Sequence, residues 1–232
     1  QTENLTAAGL DSASVKLEDD VNLDDVISHD VLDRLSSLDG SLPVTLDVEG
    51  RGEVGSATVS DHLAHDLVGA SIDFAAEDTL TVTVDGGGVG THLHTSLKEL
   101  QKLGVDAVAI AGAEGISVDL GTGALGDLGG LGLGGITFGD TNHDGLLSGD
   151  ESALNVTLNI GDSQLSEVVS HAGDLHTAGI DRIDFGSLNV DGSVTTSNEH
   201  ISVNISDVQA NTLVDAGLVF ATDATHHDAI TL

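Results

Sequence analysis

An α/β fold of tandem helix–strand–strand repeats, stacked in a solenoid-like array around one continuous core, is what this chain predicts. Three observations lead there. Glycines punctuate the sequence at Gly9, Gly40, Gly69, Gly104, Gly135, Gly179 and Gly217, at successive intervals of 31, 29, 35, 31, 44 and 38 residues. All four phenylalanines, Phe74, Phe138, Phe185 and Phe220, follow such a glycine by three to six residues. Apolar spacing is helical before each glycine and alternating after it. Self-similarity at a period of this size marks repeat architectures, in which each unit buries its apolar face against its neighbours. The alternative is a mostly β sandwich or barrel with short helices.

Copies of the plan lie near 4–23, 35–54, 62–84, 97–120, 132–158, 174–196 and 212–232, and together they make residues 1–232 one repeat-array domain. The first helical stripe is Ile27, Val31, Leu35 and Leu38; the second is Val59, Leu63 and Leu67. Leu93, Leu97, Leu100 and Leu103 form a third, with Lys98 and Glu99 on the opposite side. A fourth runs through Leu165, Val168, Val169, Ala172 and Leu175. Each run stops at a glycine, where a chain leaving a helix turns left-handed. The segments SIDFAAEDTLTVTV and DAVAIAGAEGISVDL alternate at period two and read as strand pairs. Each Phe is expected to fill the same core layer.

One copy breaks the pattern. GTGALGDLGGLGLGG, residues 121–135, holds eight glycines in fifteen residues. Each interior glycine costs a helix about 1 kcal/mol relative to alanine, so an isolated helix here would be poor. The stretch reads as a thin, tightly packed turn. No Lys follows it, so neither a phosphate loop nor a dinucleotide fingerprint can be completed.

Charge limits the partners. Against 39 acids stand only Lys16, Arg34, Arg51, Lys98, Lys102 and Arg182, a formal net charge of −33. Nucleic acid is excluded, because no basic surface can displace phosphate counterions. An anionic membrane surface is excluded by the same sign. Self-repulsion of this size weakens a compact state unless cations offset it. There are no cysteines, hence no disulfides or thiol chemistry. No apolar run approaches the roughly 20 residues needed to cross a bilayer, so membrane insertion is not expected. The start QTENLTAAGL has neither the basic segment nor the apolar run of a signal peptide. With no initiator Met and an end, DAITL, that reads as mid-strand, a mature form or an excised fragment is expected.

The most explicit chemistry is FGDTNHDGLLSGDES, residues 138–152. Taken as a twelve-residue loop, it offers Asp140, Asn142 and Asp144 at alternate positions, then Gly145 for a sharp turn. Leu146 would supply a backbone carbonyl, Ser148 a further oxygen, and Glu151 a long carboxylate that reaches back. Calcium takes six to eight hard oxygens at about 2.3–2.6 Å, and short Asp and Asn side chains on alternate residues converge on such a point. The stretch resembles the EF-hand loop position by position. The EF-hand context does not accompany it: GGITF before the loop and ALNVTLNI after it read as strand or coil. The loop therefore stands where other copies have an ordinary turn, as a staple rather than a helix-moving sensor.

Other signals are weaker. Among 11 histidines, His62 and His65 could share a helix face, His92 and His94 lie two apart, and His226 and His227 are adjacent. None has a clear third ligand, so most read as surface groups. SDH at 60–62 places Ser, Asp and His together, but a triad is assembled in space and not in sequence. The run LEDDVNLDD, residues 17–25, reads as a solvated loop leading into a helix.

Phrases such as LQKLGVDAVAIAGAEGISVDL and LHTAGIDRIDFGSLNVDG resemble the tandem repeats of very large, acidic, cysteine-free bacterial surface proteins of the type I secretion style. The resemblance implies an extracellular or cell-surface, non-enzymatic, calcium-stabilised module with a structural or adhesive role, in adhesins or biofilm matrix. Its implied partners are calcium, and neighbouring copies of itself or surface polysaccharide. The functional alternatives are a calcium-dependent carbohydrate-binding module and a subunit of a self-assembling fibre or surface layer.

Overall fold

A computed structural model describes residues 12–39, 42–49, 55–85, 91–111, 115–126, 136–139, 155–196, 202–221 and 229–231. Five strands come early: β1 (Ala13–Glu18), β2 (Val21–Asn22), β3 (Val44–Glu49), β4 (Ser56–Ser60) and β5 (Ile72–Phe74). They are interleaved with helices α1 (Leu23–Val26), α2 (His29–Asp39) and α3 (Asp61–Gly69). The middle of the chain holds β6 (Thr79–Asp85), β7 (Thr91–His92), α4 (Leu97–Leu103), β8 (Ala107–Ala111), β9 (Gly115–Asp119), β10 (Thr137–Phe138) and β11 (Asn155–Ile160). There follow α5 (Leu165–Ser170), α6 (Ala172–Thr177), β12 (Arg182–Phe185), β13 (Ser187–Leu188), β14 (Val194–Thr195) and β15 (Ser202–Asn204). Last come α7 (Asp207–Asp215), β16 (Val219–Phe220) and β17 (Ala229–Thr231).

The fold is α/β with several parallel sheets, and among the described residues no sheet closes into a barrel. One sheet has the order β1-β3-β5, a second β10-β8-β6-β4-β2, and a third β16-β12-β11-β9-β7. A further pair, β15-β17, is also parallel, while β13-β14 is an antiparallel hairpin. Parallel strands need a crossover, and helices lie in several of these: α1 and α2 between β1 and β3, α3 between β4 and β6, α4 between β6 and β8, and α5 and α6 between β11 and β12. The first sheet takes the leading strand of the first three copies. Thereafter the plan shifts sideways: β6, the second strand of its copy, pairs with β8, the first strand of the next. The extra short strand β7 starts the third sheet by pairing with β9. The 35-residue glycine interval between Gly69 and Gly104 contains that extra strand.

Alternation sets the core. In β4 the residues Ala57 and Val59 are buried, and Ser56, Thr58 and Ser60 are partly exposed. Leu80 and Val82 in β6 and Val108 in β8 continue that inner face with no exposed surface. One apolar cluster runs from Leu23 to Leu218, and Leu97, Leu100, Leu165, Val168 and Leu175 bring the helices onto it. Capping boxes start α4 at Ser96 with Glu99 and α7 at Ser206 with Gln209.

Several expectations are corrected here. Val59 belongs to β4 and Leu93 precedes α4, so the second and third stripes begin later than their spacing implies. Gly104, Gly179 and Gly217 take positive φ, but after α3 it is Ser71, at φ 54°, that turns left-handed, and not Gly69. The phenylalanines do not share one sheet. Phe74 lies in the first, Phe138 in the second, and Phe185 and Phe220 in the third, where their rings stack at 5.8 Å. Among the described residues, no helix is long and apolar enough to cross a membrane.

Candidate functional site

Asp140, Asn142, Asp144, Leu146, Ser148 and Glu151 lie outside the described residues. Their frame is described. Before the loop, Phe138 is buried in β10, and Gly139, at φ 86°, donates its N–H to the Val108 carbonyl at 2.8 Å. After it, Asn155 opens β11, paired in register with Gly115. Among the described residues, β10 of the second sheet precedes the segment 140–151 and β11 of the third sheet follows it.

Acids elsewhere act as stitches between segments distant in the chain. Asp19 Oδ1 accepts the Ser56 N–H at 3.0 Å, and the Asp24 carboxylate accepts both the N–H and the hydroxyl of Ser60. Asp78, 7 % exposed, accepts the N–H groups of Val48 at 2.7 Å and Gly55 at 3.2 Å. Asp61 accepts those of His94 at 2.7 Å and Thr95 at 3.0 Å. Asp106 accepts the Leu80 N–H at 2.8 Å, and burial pushes its carboxyl above the usual range, with that hydrogen bond partly offsetting. The run 17–25 is thus not merely solvated, because three of its carboxylates hold β4. Nor is SDH a nucleophile triad: Ser60 caps α3 through the Leu63 N–H, and Asp61 is occupied by backbone.

Asp61 and a further buried acid, Asp119, organise a histidine corner. His94 Nδ1 lies 3.1 Å from Asp61 Oδ2, and its ring centroid is 4.0 Å from that of His62. His92 bridges Ser117 Oγ, 2.9 Å from Nδ1, and Asp119 Oδ2, 3.4 Å from Nε2. The hydrogen bond to Asp119 lifts His92 above the usual histidine range, partial burial opposes this, and the charges of Asp119 and Asp61 add to the rise. Burial acts to raise Asp119, but hydrogen bonds from His92, Asn159 and the Val194 N–H outweigh it and hold the carboxyl low. A serine hydrolase presents Nε2 to its serine and Nδ1 to its aspartate. Here the ring is reversed, so the contacts bind β7 to β9 rather than build a nucleophile. His65 stands apart, 3.7 Å from Glu99. Among the described residues, no group of three His, Asp or Glu side chains is placed to hold a metal ion.

A cleft opens at the start of β4 and β6. It has a volume of about 370 Å³ and is lined by Asp20, Ser56, Ala57, Thr58, Thr79 and Thr81. Sequence reading missed it, although the alternating hydroxyls of SATVS and TLTVT were the available signal. In the described part of the glycine-rich stretch, Leu125 is buried and its N–H reaches Glu167 Oε1 at 2.6 Å, while residues 122–124 and 126 are exposed.

No protein-family model, no curated protein and no solved structure matches this chain.

Proposed function

We propose that the chain is a non-enzymatic, extracellular, calcium-stabilised structural or adhesive module. Its helix–strand–strand repeats stack as a solenoid-like array, and calcium in the 140–151 loop staples that array. The observation that carries this reading is the pair of flanks, Phe138 in β10 and Asn155 in β11, which belong to two different parallel sheets. A metal held between them pins the crossing from one sheet to the next. The net charge of −33 adds a second support, since bound cations relieve self-repulsion. Metal that binds only the folded state stabilises it by about 2.7 kcal/mol at a hundredfold excess over Kd. For a chain of this size that is a rise of roughly 5–10 °C in Tm. In calcium-poor cytosol the chain stays less stable and gains rigidity outside. The test is thermal unfolding in millimolar calcium and in chelator, with Asp144→Ala beside the parent. Calcium raises the parent's Tm and leaves the variant's unchanged; equal melting of the parent in both media overturns the reading.

A second reading, self-association of copies, is favoured by the last described elements. Val208 and Val214 on α7 are 74 % and 62 % exposed, and Val219 on β16 is 53 % exposed. Among the described residues, strand β16 also ends its sheet, and such an edge can pair with another chain. Particle size measured against calcium concentration separates an assembling subunit from a monomeric module.

A further inference from the structure

We propose that the cleft between the β1–β2 turn and the outer face of β4 and β6 is a binding site for a neutral saccharide unit. The proposal draws on none of the calcium-loop ligands and goes beyond the structural role. The register pairs Ser56 with Thr79 and Thr58 with Thr81, so four hydroxyl side chains form a grid on one sheet face. Neighbouring strands are about 4.8 Å apart and alternate residues about 6.7 Å apart, a spacing that different hydroxyls of one sugar ring can span. Thr81 is 3 % exposed and forms the floor, while Asp20 is exposed at the rim. The volume of about 370 Å³ falls in the range of small-ligand pockets, roughly 300–1,000 Å³.

The wall is preformed. Asp20 has φ 56°, a left-handed conformation that non-glycine residues seldom take. It is held there by Asp19 Oδ1, which accepts the N–H groups of both Asp20 and Ser56. Asp20 Oδ1 accepts the Ser56 hydroxyl at 2.6 Å, and Oδ2 has no partner among the described residues. The hydroxyls of Thr58 and Thr79 likewise make no hydrogen bond among the described residues. Two uncommitted hydroxyls, each both donor and acceptor, and one uncommitted carboxylate oxygen suit a ligand that is itself made of hydroxyls. Charge narrows the class further. Among the described residues no cation lines the cleft, and the chain carries a net −33, so an anionic sugar is repelled. The described lining holds no aromatic platform, so recognition rests on hydrogen bonds and is weak, on the order of 1 mM.

The experiment is saturation-transfer NMR and calorimetric titration of the whole chain with a panel of neutral mono- and oligosaccharides, at constant millimolar calcium. Thr58→Val and Thr79→Val are isosteric and keep the strand propensity; unchanged melting curves verify their fold. At least one neutral saccharide is expected to bind, and each variant to weaken it about tenfold. Thr83→Val, farther along β6 and outside the cleft, should bind like the parent. The proposal is overturned if no neutral saccharide binds the folded chain, if both cleft variants bind like the parent, or if a uronic-acid sugar binds more tightly than its neutral counterpart. Loss of saccharide binding with calcium-dependent melting intact removes this site alone; the reverse outcome removes only the calcium reading.

Discussion

Lys98 Nζ lies 3.0 Å from Glu167 Oε2 and joins α4 to α5 across 69 residues, its side chain only 6 % exposed. The ammonium also reaches the Gly123 carbonyl, and Glu167 Oε1 takes the Leu125 N–H. One of the six basic residues thus clamps the start of the glycine-rich stretch between two helices. Removing one partner of a buried pair leaves an uncompensated charge at about 3–5 kcal/mol. Glu167, at 25 % exposure, is partly screened, so Glu167→Gln should cost roughly 2–3 kcal/mol. The double variant Lys98→Met with Glu167→Leu should recover most of that loss. Urea unfolding of the single and double variants measures the difference.

Asp78 holds two backbone donors, on Val48 and Gly55, in a buried position. Asp78→Ala leaves both unpaired, a loss of roughly 2–4 kcal/mol in unfolding free energy. Asp78→Asn keeps one acceptor and should lose about half as much. Chemical denaturation with an unchanged m-value would check both.

The His92–Asp119 contact ties stability to pH. His92 titrates higher in the folded chain than its usual 6.5. Its contribution is therefore complete below that unfolded value and is lost as pH rises through the raised folded value. The midpoint of denaturation should fall across this window on the alkaline side of 6.5, and His92→Gln should flatten that slope. An identical slope in the variant would contradict the assignment.

Asp106 works in the opposite direction from an ordinary paired carboxylate. Burial raises its folded-state pKa above 3.8, so the folded chain holds this proton more tightly and stability from the group falls as pH rises through that range. Asp106→Asn keeps an acceptor for the Leu80 N–H without the buried charge. It should raise the denaturation midpoint at neutral pH, with the gain vanishing below about pH 4.

Periodicity made the local elements legible. Leu97, Leu100 and Leu103 do line a buried helix face, and the alternation of SATVS and TLTVT marks the two faces of β4 and β6. Local sequence does not distinguish Asp78 or Asp119 from the other acids, because each is committed by a donor far away in the chain. The same holds for the cleft: Asp20 and Thr79 meet through the pairing of β4 with β6, a register that neither segment carries by itself.

What the sequence determined by itself is the alternation of helix and strand, the apolar faces, and the spacing of the 140–151 ligand candidates. These are properties of residues within a few positions of one another, set by backbone period and side-chain reach. Only the tertiary structure decided which copy's strand lies beside which, where β7 shifts the order into a third sheet, and which acids become stitches. Those choices depend on long-range burial and on unpaired backbone groups finding acceptors. A buried N–H must be satisfied by whatever carboxylate the packing brings to it, whichever repeat that carboxylate comes from.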